Sequence, residues 1–299
     1  MGSESLSSPE TGPNPEAGLA PDSGPSPDPG LSPELMASPE HGHEDVWKAI
    51  LLGTDPTYAR IRSRLKHVPS EPRCKMCAAP FHGPGRVLMR FIGRVPWAKN
   101  PKYCAACFRT MNENHGGAEI DASFLFADVR GSTTLAEQIS PTEFHRQLDR
   151  FYETASRVLV DHDGIVDKFV GDEVVGMFIP ALTHDAHAAR AVDAALALLA
   201  ATGHGSADGP WLPIGIGVHT GIAFVGTVGP APVTEMTGLG DVVNTAARLA
   251  SAAGTGELLL TAVAASAAGF DTVGLERRLL ALKGKRDATE VVVATAHAQ

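Results

Sequence analysis

The sequence of 299 residues contains no run of about 18 consecutive apolar residues, so we expect no transmembrane helix. Its first ten residues also lack the basic start and the apolar stretch of a secretory signal. Lysine and arginine are absent from the first 45 residues, which carry nine acidic side chains. We therefore expect a cytoplasmic protein without a membrane span, in which charge is distributed unevenly along the chain.

Positive charge is concentrated in one block. Residues 46–119 contain 13 basic and four acidic residues, a net charge of +9. Residues 120–299 contain 12 basic and 21 acidic residues, a net charge of −9. The basic block could bind a nucleic acid through its phosphates, or a regulatory protein partner. A structural spacer whose basic face meets the acidic domain is the simpler interpretation.

The N-terminal segment is rich in proline and poor in apolar residues. Nine of the 22 prolines lie within residues 1–43, together with many glycines, serines and acidic residues. Such a segment cannot bury enough apolar surface to offset the entropy lost on ordering, so we predict a disordered acidic tail. From Glu44 onwards, apolar residues at helical spacing predict one short helix that ends near Gly53 and a second that opens at Asp55.

Cysteine is scarce, but its four residues form two pairs. Cys74 and Cys77 are separated by 26 residues from Cys104 and Cys107. Two such pairs place four thiolates on two tight turns, which can complete a tetrahedron around Zn²⁺. Thiolates alone do not select the metal, so an iron–sulfur centre and a redox-active thiol pair are alternatives. We predict a zinc module within residues 44–110, because so small a segment lacks a sufficient core without a metal.

After a predicted linker at 111–119, residues 120–297 alternate between strand and helix patterns. We predict strands over 122–129, 164–169, 173–178, 214–220, 222–228, 258–261 and 290–295, and helices over 141–161, 185–201 and 242–251. Helices mixed with adjacent strand pairs indicate an α+β domain, in which helices pack on a mostly antiparallel sheet.

Two aspartates occupy unusual positions in this domain. Asp128 ends an apolar strand and is followed by Gly131, Ser132 and Thr133, which open a helix. A carboxylate there can hold a cation while the N–H groups of the helix start receive phosphates. Asp172 lies in a Gly-Asp turn between two predicted strands, a pattern that by itself is often only a turn.

Four segments in chain order resemble the catalytic domain of class III nucleotidyl cyclases. They are FADVRGSTTLAE, DKFVGDEVVGMF, GIGVHTGIAFVGTVG and TGLGDVVNTAARLAS, within about residues 120–295. The resemblance implies a ferredoxin-like sandwich that converts ATP to 3′,5′-cyclic AMP and pyrophosphate. It also implies a homodimer whose active sites are each shared between the two protomers. A guanylate cyclase and a catalytically silent nucleotide-binding dimer are the alternatives.

The resemblance implies roles for the matching residues. Asp128 and Asp172 match the two aspartates that hold two Mg²⁺ or Mn²⁺ ions, and the carbonyl of Val129 adds a ligand. Lys168 matches the lysine that reads the base in adenylate cyclases, and Thr237 falls at the second base-contacting position. Gly131, Ser132 and Thr133 fall where the phosphates bind.

Two further matches concern the ribose and the phosphates. Asn244 and Arg248 match the pair that positions the ribose and stabilises the phosphoryl transition state. Their spacing of four residues places both on one face of a helix. Lys283 matches a lysine that contacts the triphosphate, and Lys285 is a near-equal candidate for that role.

The base-reading positions favour ATP over GTP. A lysine donates to N1 of adenine, and a threonine hydroxyl can accept a hydrogen bond from the 6-amino group. Guanylate cyclases usually carry an acid in place of this lysine, so Lys168 predicts ATP. Thr237 departs from the commoner aspartate, and a hydroxyl can donate as well as accept. This departure weakens the exclusion of GTP.

Overall fold

A computed structural model of the chain describes residues 41–68, 72–98, 100–113, 116–229, 235–282, 284–285 and 287–296. The segment 1–40 of the predicted tail, and Lys283, lie outside the described residues. The first helix begins at His41, so residues 41–43 belong to a helix rather than to the tail. In the described part of the chain, no helix combines the length and the apolar character needed to cross a membrane.

The N-terminal part is mainly helical. Its elements are α1 (His41–Leu51), α2 (Pro56–Leu65), α3 (Gly83–Phe91), β1 (Pro96–Trp97), β2 (Asn100–Cys104) and α4 (Ala105–Glu113). The strands β1 and β2 form a small antiparallel sheet. The predicted linker is divided, because residues 111–113 complete α4 and residues 117–119 already belong to the next strand.

The C-terminal part contains one large sheet and its covering helices. Its strands are β3 (Gly117–Val129), β4 (Ile165–Val170), β5 (Glu173–Phe178), β6 (Ile214–Val228), β7 (Glu235–Leu239), β8 (Leu258–Thr261), β9 (Glu276–Leu280) and β10 (Thr289–Ala294). Its helices are α5 (Ser132–Gln138), α6 (Pro141–Asp161), α7 (Pro180–Thr183), α8 (His187–Ala201), α9 (Asp241–Ala252) and α10 (Ala262–Ala268), with a 3₁₀ turn at His184–Ala186.

The large sheet confirms the predicted α+β class. Its eight strands follow the order β4-β5-β3-β6-β8-β10-β9, and β7 pairs with β6 beside this path. Among the described strands of this sheet, every pairing is antiparallel except that of β6 with β8. The predicted strand pair over 214–228 is wrong, because β6 is one continuous strand. Its register with β3 runs unbroken, and Gly221, which separates the two predicted strands, lies directly opposite Ala122.

Helices cover both faces of the sheet, as in a sandwich. The longest, α6, begins at Ser140, whose side chain accepts a hydrogen bond from the N–H of Glu143 at 3.2 Å. Its residues Phe151, Ala155 and Leu159 repeat every four positions and are fully buried on one face with residues of α8 and α10. The opposite face of the sheet is covered by α1 and α9.

The N-terminal part shares its core with the large sheet. Trp47, Tyr103 and Phe108 are buried in the same apolar cluster as Ile120 and Phe124 of β3. Tyr103 and Phe108 meet edge to face, with ring centroids 6.0 Å apart. The small size of the cysteine module predicted that it depends on a metal for its stability. The structure shows instead that the module also has an apolar core, which it shares with the large sheet.

Candidate active site and cysteine centre

Asp128 and Asp172 lie close together at one end of the sheet. Asp128 is the penultimate residue of β3 and pairs across the ladder with Glu173 of β5. Asp172 lies in the turn between β4 and β5, and its carbonyl accepts a hydrogen bond from the N–H of Val129 at 3.3 Å. Gly171 precedes it with φ +61°, a conformation that glycine adopts without a steric cost.

Acidic side chains crowd this end of the sheet. Burial raises the pKa of Asp128, the ion pair with Arg130 opposes this, and the nearby Asp172 carboxyl raises it further. Burial also raises the pKa of Glu173 to about 7, and both aspartates contribute to that rise. A divalent cation would relieve this repulsion, and Mg²⁺ and Mn²⁺ prefer carboxylate and carbonyl oxygens as ligands. The donors present therefore fit the predicted metal site, with the Val129 carbonyl at the same strand end.

The helix α5 starts three residues after Val129. Gly131 stands at its N-cap with no side chain capping the helix, and Ser132 and Thr133 form its first turn. The N–H groups of an uncapped first turn are available to a ligand such as a phosphate. The structure thus places these three residues immediately beside Asp128.

The predicted ribose and transition-state residues lie on α9. Asn244 is exposed and Arg248 is half-buried, one turn apart on the same helix. The helix lies very close to β6 at Gly217, where an added Cβ would stand 2.3 Å from the backbone nitrogen of Ala250. Only glycine fits at this point, so Gly217 sets the distance between α9 and the sheet.

The segment that follows β9 approaches this part of α9. The Arg248 guanidinium lies against Gly284, where its Nη2 would be 3.3 Å from an added Cβ. Lys285 forms an ion pair with Asp241, the first residue of α9. Among the described residues, Lys285 is therefore the lysine that lies beside this helix.

The predicted site divides into a metal half, formed by Asp128 and Asp172, and a ribose half, formed by Asn244 and Arg248. Among the described residues, no hydrogen bond or ion pair links Asp128 or Asp172 to Asn244 or Arg248. Arg130 instead donates to the carbonyls of Ser251 and Ala253 at the C-terminal end of α9, at 3.1 Å each. Asn244 and Arg248 lie seven and three residues before Ser251, or about 10 Å and about 4.5 Å along the helix axis.

Lys168 and an unpredicted neighbour line a cavity of about 660 Å³. The Lys168 ammonium is 3.7 Å from Oδ2 of Asp167, which also lines the cavity. The Thr237 hydroxyl donates to the same Oδ2 at 2.8 Å. Ala98 and Pro101 of the N-terminal part complete one wall. Sequence reasoning missed Asp167, for which the only signal was an acidic residue inside an otherwise apolar strand.

The four cysteines form one buried cluster. Their sulfur atoms all lie within 4.8 Å of one another, with Cys77 and Cys104 at 3.6 Å and Cys104 and Cys107 at 3.3 Å. The N–H of Cys104 donates to the sulfur of Cys74 at 3.2 Å, and Arg94 donates to Cys77 at the same distance. The hydrogen bond from Cys104 lowers the pKa of the Cys77 thiol. The predicted cluster is confirmed, and its thiols and N–H donors fit a tetrahedral metal centre.

The basic side chains near this cluster contact the acidic domain. Lys75, between the first two cysteines, forms an ion pair with Asp163, and the Lys102 ammonium is 3.5 Å from the same carboxylate. The side chain of Asn100, which is fully buried, donates to the carbonyl of Gly164 at 2.6 Å. These contacts hold the turn that leads from α6 into β4, the strand of Lys168.

Comparison with known proteins identifies the family of the C-terminal part. The family model of the adenylate and guanylate cyclase catalytic domain matches residues 118–294. Adenylate cyclase 1 of Rhizobium meliloti (strain 1021) is 35% identical over 134 residues, which are 43% of this chain and 20% of that protein. The matched region therefore spans only about a fifth of this curated relative.

Two solved structures share the fold. The guanylyl cyclase Cya2 matches with a TM-score of 0.54 and 27% identity, over 60% of this chain and 93% of its own. The adenylyl cyclase CyaB from P. aeruginosa matches with a TM-score of 0.53 and 27% identity, over 62% of this chain and 99% of its own. Since the family model covers more than half of the sequence, the chain belongs to the family of adenylate and guanylate cyclase catalytic domains.

Proposed function

We propose that the chain is an adenylate cyclase, which converts ATP to 3′,5′-cyclic AMP and pyrophosphate. The observation that carries this proposal is the placement of Asp128 and Asp172 side by side at the end of the central sheet. Burial, reinforced by repulsion from the neighbouring aspartates, raises the pKa of Asp128 and of the adjacent Glu173. Within this family, such a pair supports catalysis rather than a silent nucleotide-binding role.

Each protein group has a defined task in the proposed reaction. Asp128, Asp172 and the Val129 carbonyl would hold two Mg²⁺ or Mn²⁺ ions. When bound, these ions would acidify the ribose 3′-hydroxyl and neutralise the leaving pyrophosphate. The N–H groups at the start of α5, from Gly131 to Thr133, would hold the phosphates.

The partner half of the site would stabilise the transferring phosphate. Arg248 presents a planar fork of donors to an equatorial phosphate oxygen, which a lysine could not reproduce. Asn244 would orient the ribose so that its 3′-hydroxyl attacks in line. Lys283 or Lys285 would contact the triphosphate, and the ion pair between Lys285 and Asp241 keeps the Lys285 ammonium near α9.

The proposed enzyme is a homodimer with two shared sites. Among the described residues, no hydrogen bond or ion pair joins the side chains of Asp128 and Asp172 to those of Asn244 and Arg248, in keeping with this arrangement. A two-fold axis would bring the metal half of each protomer against the ribose half of its partner. Each chain then contributes to both sites.

ATP is the proposed substrate, although the matching structures include both adenylyl and guanylyl cyclases. Lys168 supports ATP because an ammonium donates to N1 of adenine, whereas N1 of guanine carries a hydrogen. Thr237 also favours ATP, because its hydroxyl can accept a hydrogen bond from the 6-amino group of adenine. We further propose one structural Zn²⁺ at Cys74, Cys77, Cys104 and Cys107, since two Cys-x-x-Cys pairs form a ligand set that structural zinc sites use.

Turnover by the purified full-length chain tests this function. With Mn²⁺ we expect cyclic AMP from ATP and at least about tenfold less cyclic GMP from GTP, since each mismatched donor or acceptor costs on the order of 1–3 kcal/mol. The matched control is Asp128→Asn, which keeps the side-chain shape and removes the charge. Binding of ATP without any cyclic product from the wild type would favour the silent regulator instead.

A further inference from the structure

We propose that Asp167 is a specificity-determining residue of the base site, and that its carboxylate acts with Lys168 to read the N6 and N1 edge of adenine. This inference rests on the proposed adenylate cyclase function. It adds a residue that the sequence motifs did not assign to the base.

An irregularity in β4 places Asp167 beside Lys168. Neighbouring residues of a regular strand point to opposite faces. The pairing of β4 with β5 passes from Val166 opposite Gly176 directly to Lys168 opposite Val175, so the register shifts at Asp167. Such a bulge redirects a side chain. As a result Asp167 and Lys168 line the same cavity.

The Asp167 carboxylate is held by its neighbours at a fixed position. Its side chain is only 3% exposed, and a buried carboxylate is costly unless it is paired. The Thr237 hydroxyl donates to Oδ2 at 2.8 Å, and the Lys168 ammonium is 3.7 Å from that oxygen. An ionised carboxylate only accepts hydrogen bonds and can accept several. The cavity wall therefore presents an acceptor directly beside a donor.

Thr237 contacts Asp167 but does not itself line the cavity. It is 2% exposed, and it is not among the residues that line the cavity. Its single hydroxyl hydrogen is donated to Asp167. The commoner aspartate of the family is missing at this position, and a carboxylate from the neighbouring strand supplies the acceptor instead. Thr237 is thus a positioning residue for Asp167.

The acceptor and donor match adenine and oppose guanine. Adenine offers a 6-amino donor next to the N1 acceptor, which pair with Asp167 and Lys168 respectively. Guanine reverses both, so its O6 would face the carboxylate and its N1–H would face the ammonium. An acceptor facing an acceptor and a donor facing a donor select against GTP. This resolves the ambiguity of a threonine that could both donate and accept.

A substrate analogue tests this role in the full-length dimer. Purine riboside triphosphate keeps N1 but lacks the 6-amino group. For the wild type we expect kcat/KM with ATP to exceed that with the analogue by about tenfold or more. In Asp167→Asn the ratio should fall towards one, and selectivity for ATP over GTP should also fall at least about tenfold. In Thr237→Val, which keeps the carboxylate, the ATP-to-analogue ratio should stay within about threefold of the wild-type value.

Controls separate this inference from a structural role and from the proposed function. Asp149→Asn makes the same chemical change at an exposed position on α6 and should leave the ratio unchanged. If Asp167→Asn does not fold, the smaller polar substitution Asp167→Ser replaces it. It should likewise lower the ATP-to-analogue ratio towards one.

Three results would overturn the inference. One is a wild type that uses ATP and the analogue equally well. The second is an Asp167→Asn enzyme that loses activity with both substrates equally, as a purely structural residue would. The third is a ratio that collapses in Thr237→Val but not in Asp167→Asn, which would assign the base contact to the hydroxyl. A wild type that makes no cyclic AMP from ATP would instead contradict the proposed function itself.

Discussion

The two candidate metal sites of this chain are built in opposite ways. The four cysteines are buried, and their sulfur atoms already lie within 4.8 Å of one another in a single chain. The two aspartates at the sheet end are partly exposed and repel each other. In the described part of the chain, no hydrogen bond or ion pair links them to the predicted transition-state residues. A closed, complete donor set is typical of a structural metal, whereas an open, incomplete one is typical of catalysis.

The two sites also differ in the groups that offset their negative charge. The cysteine centre is compensated internally, because Arg94 and the N–H of Cys104 donate to sulfur. The aspartate site has Arg130 beside Asp128, but burial and mutual repulsion still raise the pKa of Glu173 to about 7. The aspartate site therefore keeps an excess of negative charge that a divalent cation would offset.

The largest effect is expected from variants that test whether the aspartates of one protomer act together with Arg248 of the other. Asp128→Ala and Arg248→Ala should each lower kcat by roughly 10²–10⁴, because each removes charge stabilisation from the transition state. A mixed dimer of the two variants should recover about half of the wild-type activity, since one of its two sites would be intact. Differently tagged chains can be co-expressed, purified as mixed dimers and assayed for cyclic AMP.

The control for this experiment is Arg146→Ala, an exposed arginine on α6 that pairs with Glu143 outside the site. Its activity should be close to that of the wild type, alone or mixed. Mixed dimers that are as inactive as the two parents would refute shared sites.

The second prediction tests the completeness of the cysteine centre. Cys104→Ser should abolish stoichiometric zinc and lower the thermal midpoint by many degrees, because a structural metal contributes directly to folding free energy. Elemental analysis and thermal unfolding measure both effects. Ala105→Ser, the neighbouring change that spares the four sulfur atoms, should retain the metal. Stoichiometric iron and a visible absorption band in the wild type would reassign the centre to iron–sulfur chemistry.

The third prediction concerns His219 in the cyclase domain, whose protonation should lower the stability of the protein in acid. Burial, followed by the nearby Lys285, lowers the pKa of His219 to about 4, and its Nδ1 lies 2.7 Å from the Thr261 hydroxyl. The unfolded chain then binds a proton at higher pH than the folded one. Stability should therefore fall as the pH drops from about 7 to 4, by on the order of 3 kcal/mol from this group.

Denaturant unfolding across this pH range checks the effect. His219→Gln should flatten the acid dependence, while the exposed His145 on α6 offers a matched substitution, His145→Gln, that should not. An unchanged acid slope in His219→Gln would show that other groups cause the loss of stability.

Sequence patterns predicted the parts of the molecule that depend on local spacing. The cysteine pairs predicted their cluster, and the alternation of strands and helices predicted the sandwich. The spacing of Asn244 and Arg248 predicted their common helix face, and both residues lie one turn apart on α9. Each of these features is set by residues a few positions apart.

Features that depend on distant pairing were not predictable in this way. The bulge at Asp167 appears only in the register with β5, and Asp167 meets Thr237 across 70 residues of sequence. Gly221 separates the two strands predicted over 214–228, but the long ladder with β3 holds it in one continuous strand. The burial of Trp47 against the central sheet likewise has no local signal.

The smallest expected effect asks whether the two regions are one cooperative unit. Asn100 is fully buried, and it joins them by donating to the Gly164 carbonyl at 2.6 Å while accepting from the N–H of Lys102 at 3.0 Å. Asn100→Ala leaves both groups without these partners, which should cost about 1–3 kcal/mol of unfolding free energy. Ala98→Ser, an exposed change in the same hairpin, should cost almost nothing.

Two probes decide between coupled and independent regions. Tryptophan fluorescence reports largely on the N-terminal part, which holds Trp47 and Trp97 of the three tryptophans, and far-ultraviolet dichroism reports on the whole chain. If the shared core makes the regions one unit, the two denaturant curves should coincide in the wild type and shift together in Asn100→Ala. Curves that separate only in the variant would mean that Asn100 couples two regions of unequal stability. Curves that separate already in the wild type would mean that the cysteine centre is stable on its own, and that its contacts with the α6–β4 turn add little to the cyclase domain.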